Sequence, residues 1–149
     1  MLQDMVDRFV HDPYELDKRQ LLVLTERGFS NDNWQTMAEL GWLGVSVPEA
    51  HGGFGGNEID TMILMQAFGK GLVLEPFFAS TVLGAKAIAD GGSEDLKTKM
   101  LPGVVDGSRQ LTFAYAEAQS RFDLNDIVTR AQRDGDDYVI NGHKSMVLH

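Results

Sequence analysis

The hydrophobic period of this chain changes once, near residue 110, and that change limits what the chain can fold into. Upstream, apolar residues recur every three or four positions, the spacing that lines one side of a helix. Leu2, Met5, Val6, Phe9 and Val10 form one such stripe, and Asp12-Pro13 is placed to stop it. Downstream, residues 111–115, 126–129 and 138–140 are rich in β-formers, and Asn141-Gly142 is a hairpin signal ahead of 144–148. The pattern predicts a mainly α fold: an N-terminal antiparallel helical bundle over 1–109, then over 110–149 the first strands of an incomplete antiparallel β-domain.

Helix boundaries are set by residues that satisfy free backbone groups. A second helix is expected from Asp17 to about Glu26, ending near Gly28, where left-handed backbone is cheap for glycine. Ser30 suits the N-cap of a third helix, which carries Trp34, Met37, Ala38 and Leu40 and closes at Gly41. Residues 43–56 read as a loop, interrupted by Pro48 and by four glycines around Phe54. Asn57 with Asp60 makes a capping box with a shortened acid. Ile59, Met62, Ile63, Leu64, Met65 and Phe68 then point in nearly every direction round the fourth helix, which predicts central burial. A fifth helix is expected over 76–89, closed by Gly91-Gly92, and a sixth from Ser93, with Pro102 and Gly107 as breaks further along.

Charge and composition narrow the function classes. Thirteen basic against 22 acidic side chains give a net charge of −9, which repels phosphate backbones and anionic lipid, so neither nucleic acid nor a membrane is an expected partner. The absence of cysteine removes disulfides, thiolate metal sites and cysteine nucleophiles and suits a reducing compartment, so a cytoplasmic location is expected. The longest nearly apolar stretch, 71–85, contains Glu75 and Pro76 and is shorter than the about 20 residues of a membrane span. The N-terminus has neither the basic start nor the apolar run of an export signal.

Few residues point to chemistry by spacing alone. Gly52, Gly53, Gly55 and Gly56 invite a phosphate-loop reading, but no Lys-Ser/Thr comes after them and no parallel strand precedes, which favours a structural turn. His11, His51, His143 and His149 are scattered, so no metal site is expected. Asp134, Asp136 and Asp137 read as turn formers. Met62 and Met65 suit either a core or an adaptable pocket wall.

Four stretches in order resemble the acyl-CoA dehydrogenase family. They are Leu40-Gly41-Trp42-Leu43-Gly44-Val45 through Pro48 to Gly56; Gly92-Ser93-Glu94-Asp95-Leu96-Lys97 through Leu101-Pro102 and Gly107; Phe113-Ala114-Tyr115-Ala116-Glu117 through Asp123; and Arg133-Asp134-Gly135-Asp136-Asp137-Tyr138-Val139-Ile140-Asn141-Gly142-His143-Lys144. The resemblance implies a flavoprotein, with FAD as cofactor, that introduces a double bond between Cα and Cβ of an acyl-CoA thioester. It also implies a longer protein whose catalytic base lies in a C-terminal bundle beyond this chain, so no residue here is expected to be catalytic and the chain alone is expected to be inactive.

Several positions depart from the family pattern. Ala116 stands where a threonine usually contacts the flavin, Phe122 where a serine meets the thioester arm, and Met146-Val147-Leu148 where the family has Trp-Ile-Thr. The resemblance makes Tyr115, Ala116, Met146 and Leu148 the cofactor contacts, two of them through backbone amides. It makes Phe78, Val82, Leu83, Arg121 and Phe122 the substrate contacts, with the acyl chain between helix 59–68 and segment 77–83; packing among themselves is the other reading of those apolar residues, and a solvated surface position the other reading of Arg121. The pattern is closest to the small subunit of pimeloyl-CoA dehydrogenase, which implies a dicarboxylyl-CoA substrate. Two functions stay open: the N-terminal part of the enzyme itself, or a non-catalytic subunit that joins a larger acyl-CoA dehydrogenase partner or self-associates.

Overall fold

The computed structural model describes residues 2–11 and 14–149, so the expected helix stop at Asp12-Pro13 lies outside the described residues. Helix α1 (Leu2–His11) carries the first apolar stripe, with Val6 fully buried. It packs on α4 (Glu58–Gly71), and the approach is close enough that a Cβ on Gly71 would lie 2.7 Å from the Val10 Cβ.

Helix α2 (Leu16–Val23) is shorter than expected, because the chain leaves it at Leu24 and turns through Gly28, whose amide donates to the Thr25 carbonyl. Gly28 does take the left-handed conformation, but in that turn and not as the helix cap. Helix α3 (Asn31–Glu39) begins at the expected cap: the Ser30 hydroxyl accepts from the Asn33 amide at 3.2 Å. Trp34 and Met37 point inward from it.

The glycine-rich loop holds two 3₁₀ turns, Trp42–Gly44 and Glu49–His51, and folds back on its own backbone. The amides of Gly52, Gly53, Phe54, Gly55 and Gly56 all donate to carbonyls between Gly44 and Glu49. No amide of this run is left to cradle a phosphate, and the glycines serve close backbone approach: a Cβ on Gly53 would stand 2.0 Å from the Val47 carbonyl oxygen.

The capping box at α4 forms as the sequence predicts. Asn57 Oδ1 accepts from the Ile59 and Asp60 amides, and Asp60 Oδ2 accepts from the Asn57 amide at 3.0 Å. Burial all round the helix does not occur. Leu64, Ala67 and Phe68 face the core, whereas Ile59 and Met62 are exposed, because only one side of α4 meets α1 and the loop aromatics.

The expected helix over 76–89 is two elements, a π-helical segment at Phe78–Ala85 and α5 (Lys86–Gly91). Only the adjacent Ser80 and Thr81 interrupt its apolar run, so its sequence has no period from which a wider turn is legible. Helix α6 (Glu94–Val105) starts at its Ser93 cap, and it runs through Pro102 where a break was expected. Pro102 has no amide to donate to the Thr98 carbonyl, and the helix ends three residues later, at Val105. Two cores result: a larger one around Val6, Trp42, Leu64, Phe68 and Phe77, and a smaller one of Val47, Ala85, Leu101 and Val104.

The described chain divides into two compact units, the helical one ending at Leu111 and the second spanning Thr112–His149. In the second, β1 (Arg130–Asp134) and β2 (Asp137–Asn141) pair antiparallel across a two-residue turn at Gly135-Asp136. The strands expected at 111–115, 126–129 and 144–148 do not form, and Asn141-Gly142 ends β2 without starting a hairpin. Extended segments become strands only when a partner ladder reaches them, and residue type alone does not supply the partner. Among the described residues no helix is long and apolar enough to cross a membrane.

Gly53→Ala is expected to lower the stability of the helical unit by about 1–3 kcal/mol, the range for forced overpacking. Gly91→Ala, where an added Cβ meets nothing within 4 Å, serves as the control. Urea titration of both variants checks this; equal midpoints contradict the close-approach role of Gly53.

Candidate functional site

Between the C-terminal half of α4 and the start of the π-helical segment lies a cavity of about 280 Å³. Its walls are Met65, Phe68, Leu72, Val73, Phe77 and Phe78, with Gly69 between them and the side chains of Arg19 and Glu75 as polar elements. Phe68 and Phe77 are held edge to face at 5.0 Å, which fixes that side of the wall.

Glu75 is buried, with both oxygens engaged: Oε2 accepts from the Tyr14 hydroxyl and Oε1 from the Ser30 amide at 3.2 Å. The Tyr14 hydroxyl accepts in turn from Asn33 Nδ2 at 3.2 Å. Burial, and then Glu75 beside it, push the Tyr14 hydroxyl well above the ordinary tyrosine range, against a smaller opposing effect of Asn33. Tyr14 therefore stays a neutral donor.

Of the residues expected at the acyl chain, Phe78 lines this cavity. Val82 faces a different one of about 160 Å³, bounded by Ser46, Asn57, Thr61 and Lys86, and Leu83 is half-buried and lines neither. Met65 is a cavity wall, and Met62 is exposed. Tyr14 and Arg19 carry no signal in the sequence, Phe68 reads only as the end of an apolar helix, and Glu75 only as an interruption of an apolar stretch. An acid in such a stretch is itself a signal, since burial demands partners.

In the second unit, segments 112–117 and 144–148 run beside each other. The Ser145 amide donates to the Ala116 carbonyl at 2.9 Å, and the Thr112 hydroxyl to the Leu148 carbonyl at 2.6 Å. Tyr115 stacks on Phe113 at 5.7 Å. Tyr115, Met146 and Leu148 are all exposed, and Met146 takes a left-handed conformation. Arg121 and Phe122 sit in a separate turn; Phe122 is 99% exposed.

The unit is organised by Glu117, which is buried and accepts four hydrogen bonds: from Lys144 Nζ at 2.8 Å, Gln119 Nε2 at 2.8 Å, the Val128 amide at 2.9 Å and the Thr129 amide at 3.2 Å. Lys144 first, then Thr129, Val128 and Gln119, hold its carboxyl well below the usual glutamate range. Among the described residues no group of three or more His, Cys, Asp or Glu converges as a metal site.

This arrangement has relatives. Residues 1–108 match the acyl-CoA dehydrogenase N-terminal domain. The chain belongs to the acyl-CoA dehydrogenase family. It is 33% identical over 137 residues to the acyl-CoA dehydrogenase FadE12 of Mycobacterium tuberculosis, covering 90% of this chain and 34% of that protein. It is similar to the ChsE4-ChsE5 complex from Mycobacterium tuberculosis, with a TM-score of 0.85, 27% identity, and 98% of this chain on 39% of that one. It also matches an acyl-CoA dehydrogenase complexed with FAD from Bacillus anthracis, with a TM-score of 0.85, 25% identity, and 99% of this chain on 26% of that one. The chain thus spans about a third of the length of its first curated relatives. The family consists of flavin-dependent oxidoreductases that act on acyl-CoA.

The Glu117 cluster makes the second unit acid-sensitive. A carboxyl whose pKa is lowered on folding contributes stability fully above the unfolded value of about 4.3 and loses it as the pH falls below that. The protection factors of the Val128 and Thr129 amides, taken against the intrinsic exchange rate at each pH, are expected to fall below this pH in the native chain and to be low at neutral pH in Glu117→Gln. Protection that is independent of pH contradicts the assignment.

Proposed function

We propose that this chain is the N-terminal part of an acyl-CoA dehydrogenase that α,β-desaturates acyl-CoA thioesters, with the end of the acyl chain in the Phe68–Phe77–Phe78 cavity. The observation that carries the reading is the cavity itself: an apolar recess lined by α4 and the π-helical segment, the pair of elements between which the family resemblance puts the acyl chain. Its volume is just below the about 300–1,000 Å³ of small-molecule sites, enough for the end of a chain and not for a whole thioester.

The exposed side chains of Tyr115, Met146 and Leu148, with the main chain at Ala116, are what the second unit offers a flavin ring. These groups fit packing against a planar aromatic system, and Ala116 brings no side-chain donor to it. FAD, when bound, supplies the acceptor for the hydride leaving Cβ. In the helical unit Phe68, Phe77 and Phe78 desolvate the chain end, and in the second unit the exposed Arg121 is available to the anionic groups of coenzyme A. Val82 and Leu83 lie on the same π-helical segment without lining this cavity, and Phe122 is an exposed apolar contact for the thioester arm. No acid of this chain takes the role of base in the reading.

A second reading, a non-catalytic subunit of a heteromeric acyl-CoA dehydrogenase, is favoured by the lack of side-chain donors at Ala116, Phe122, Met146 and Leu148. The ChsE4-ChsE5 relative is a complex of two different chains. In the first reading the rest of the same protein completes the site; in the second, the larger partner or a second copy does. A dicarboxylyl-CoA substrate would draw on Arg19, the one cation among the described residues lining the cavity.

The test is turnover of octanoyl-CoA with FAD and a dye acceptor by the whole protein, with and without a co-expressed acyl-CoA dehydrogenase partner, beside the 149-residue chain alone. Activity is expected from the whole protein or its complex and not from the chain alone. A flavin-loaded complex inactive on every acyl-CoA contradicts the first reading, and a partner whose activity is the same without this protein contradicts the second.

A further inference from the structure

We propose that Lys144 and Glu117 are the positioning pair of the flavin-facing segments: Lys144 ties segment 144–148 to segment 112–117 at one spacing, and Glu117 cancels the charge that the lysine brings there. The inference rests on the flavin reading of Tyr115, Ala116, Met146 and Leu148 and adds two residues that act through those four.

Among the described residues no strand ladder joins the two segments, so their spacing depends on individual bonds. The Ser145 amide donates to the Ala116 carbonyl, and the Thr112 hydroxyl to the Leu148 carbonyl. Lys144 adds a tie from its side chain: Nζ donates to Glu117 Oε1 at 2.8 Å and reaches the Tyr115 carbonyl at 3.4 Å. Each flavin-facing residue thus has a bonded main-chain group on it or beside it. Met146, between Ser145 and Leu148, is left-handed with φ at 53°, a conformation that costs free energy for a residue with a Cβ and persists where its surroundings impose it.

Glu117 supplies the fixed end of the tie. It is buried and also accepts from the Val128 and Thr129 amides and from Gln119, so it is anchored independently of the lysine. Four donors face it, one of them an ammonium, which is the setting of an ionised carboxylate. The pair as a whole is therefore neutral. Without Glu117, a part-buried cation would stand at the Tyr115 carbonyl, beside the groups offered to the flavin, where a net charge changes how readily a flavin accepts electrons.

FAD titration and the flavin reduction potential of the whole protein test the pair, with protection of the β1 and β2 amides showing that the second unit is folded. Lys144→Met is expected to weaken FAD binding at least about tenfold, as loss of a supporting contact does, and to lower the potential, because the Glu117 charge is left uncancelled. Glu117→Gln is expected to raise the potential, because the ammonium is left uncancelled. Loss of a merely structural contact would not drive the two potentials apart. Lys144→Arg, which keeps charge and donors, is expected to stay within about threefold of the native affinity. The two lysine variants decide the matter even if Glu117→Gln does not fold. Native FAD affinity in a folded Lys144→Met, loss of the β1 and β2 protection in that variant, or potentials that shift the same way in both charge variants overturns the inference and leaves the flavin reading standing. A native whole protein that takes up no FAD overturns both.

Discussion

A run of five aromatic rings holds the helical unit together. Tyr14 meets Phe9 at 6.0 Å, Phe9 meets Trp42 edge to face at 5.1 Å, Trp42 meets Phe68 at 5.8 Å, and Phe68 meets Phe77 at 5.0 Å. The run passes from α1 through the first 3₁₀ turn and α4 to the start of the π-helical segment, so elements distant in sequence share one rigid spine. Each ring pair contributes about 0.5–1.5 kcal/mol beyond the area it buries. The last two rings of the spine are also walls of the cavity, so the recess is a by-product of how the core closes.

At the other end of the spine the same logic turns polar. Tyr14 packs its ring on Phe9 and directs its hydroxyl to Glu75, so the residue that ends the aromatic run also places the buried carboxylate. An isolated acid there would be costly; its hydrogen bonds with Tyr14 and Ser30 offset that cost. The indole N–H of Trp42, buried without a partner among the described residues, is a cost the spine carries for its packing. The second unit is built the opposite way. It has little apolar core of its own, and the Glu117 cluster with Lys144 stands in for one, while Phe122, Leu124, Tyr138 and Ile140 remain exposed. A two-stranded hairpin has no second layer against which to bury them.

What was legible in the sequence was local. The Ser30, Asn57–Asp60 and Ser93 caps lie within three residues of the amides they satisfy, and the motif order that marks the family is likewise a one-dimensional signal. What was hidden depends on partners far along the chain. The strands expected at 111–115 and 144–148 carry suitable residues but find no ladder, and Val82 and Leu83, neighbours of Phe78 in sequence, leave its cavity because the π-helical turn carries them round. The exposure of Ile59 and Met62 was unreadable for a related reason: an all-apolar helix does not say which side its neighbours cover. Glu75 pairs with residues 61 and 45 positions earlier, beyond any motif window.

Whether the cavity beside the aromatic spine receives the end of an acyl-CoA chain decides most of the functional reading. Photolysis of an octanoyl-CoA carrying a terminal diazirine, bound to the whole protein with FAD, followed by peptide mass spectrometry, tests it most directly. Label is expected on Met65, on 68–73 or on Phe77-Phe78, displaced by unlabelled octanoyl-CoA. Displaceable label confined to any other part of the protein contradicts the assignment of the cavity.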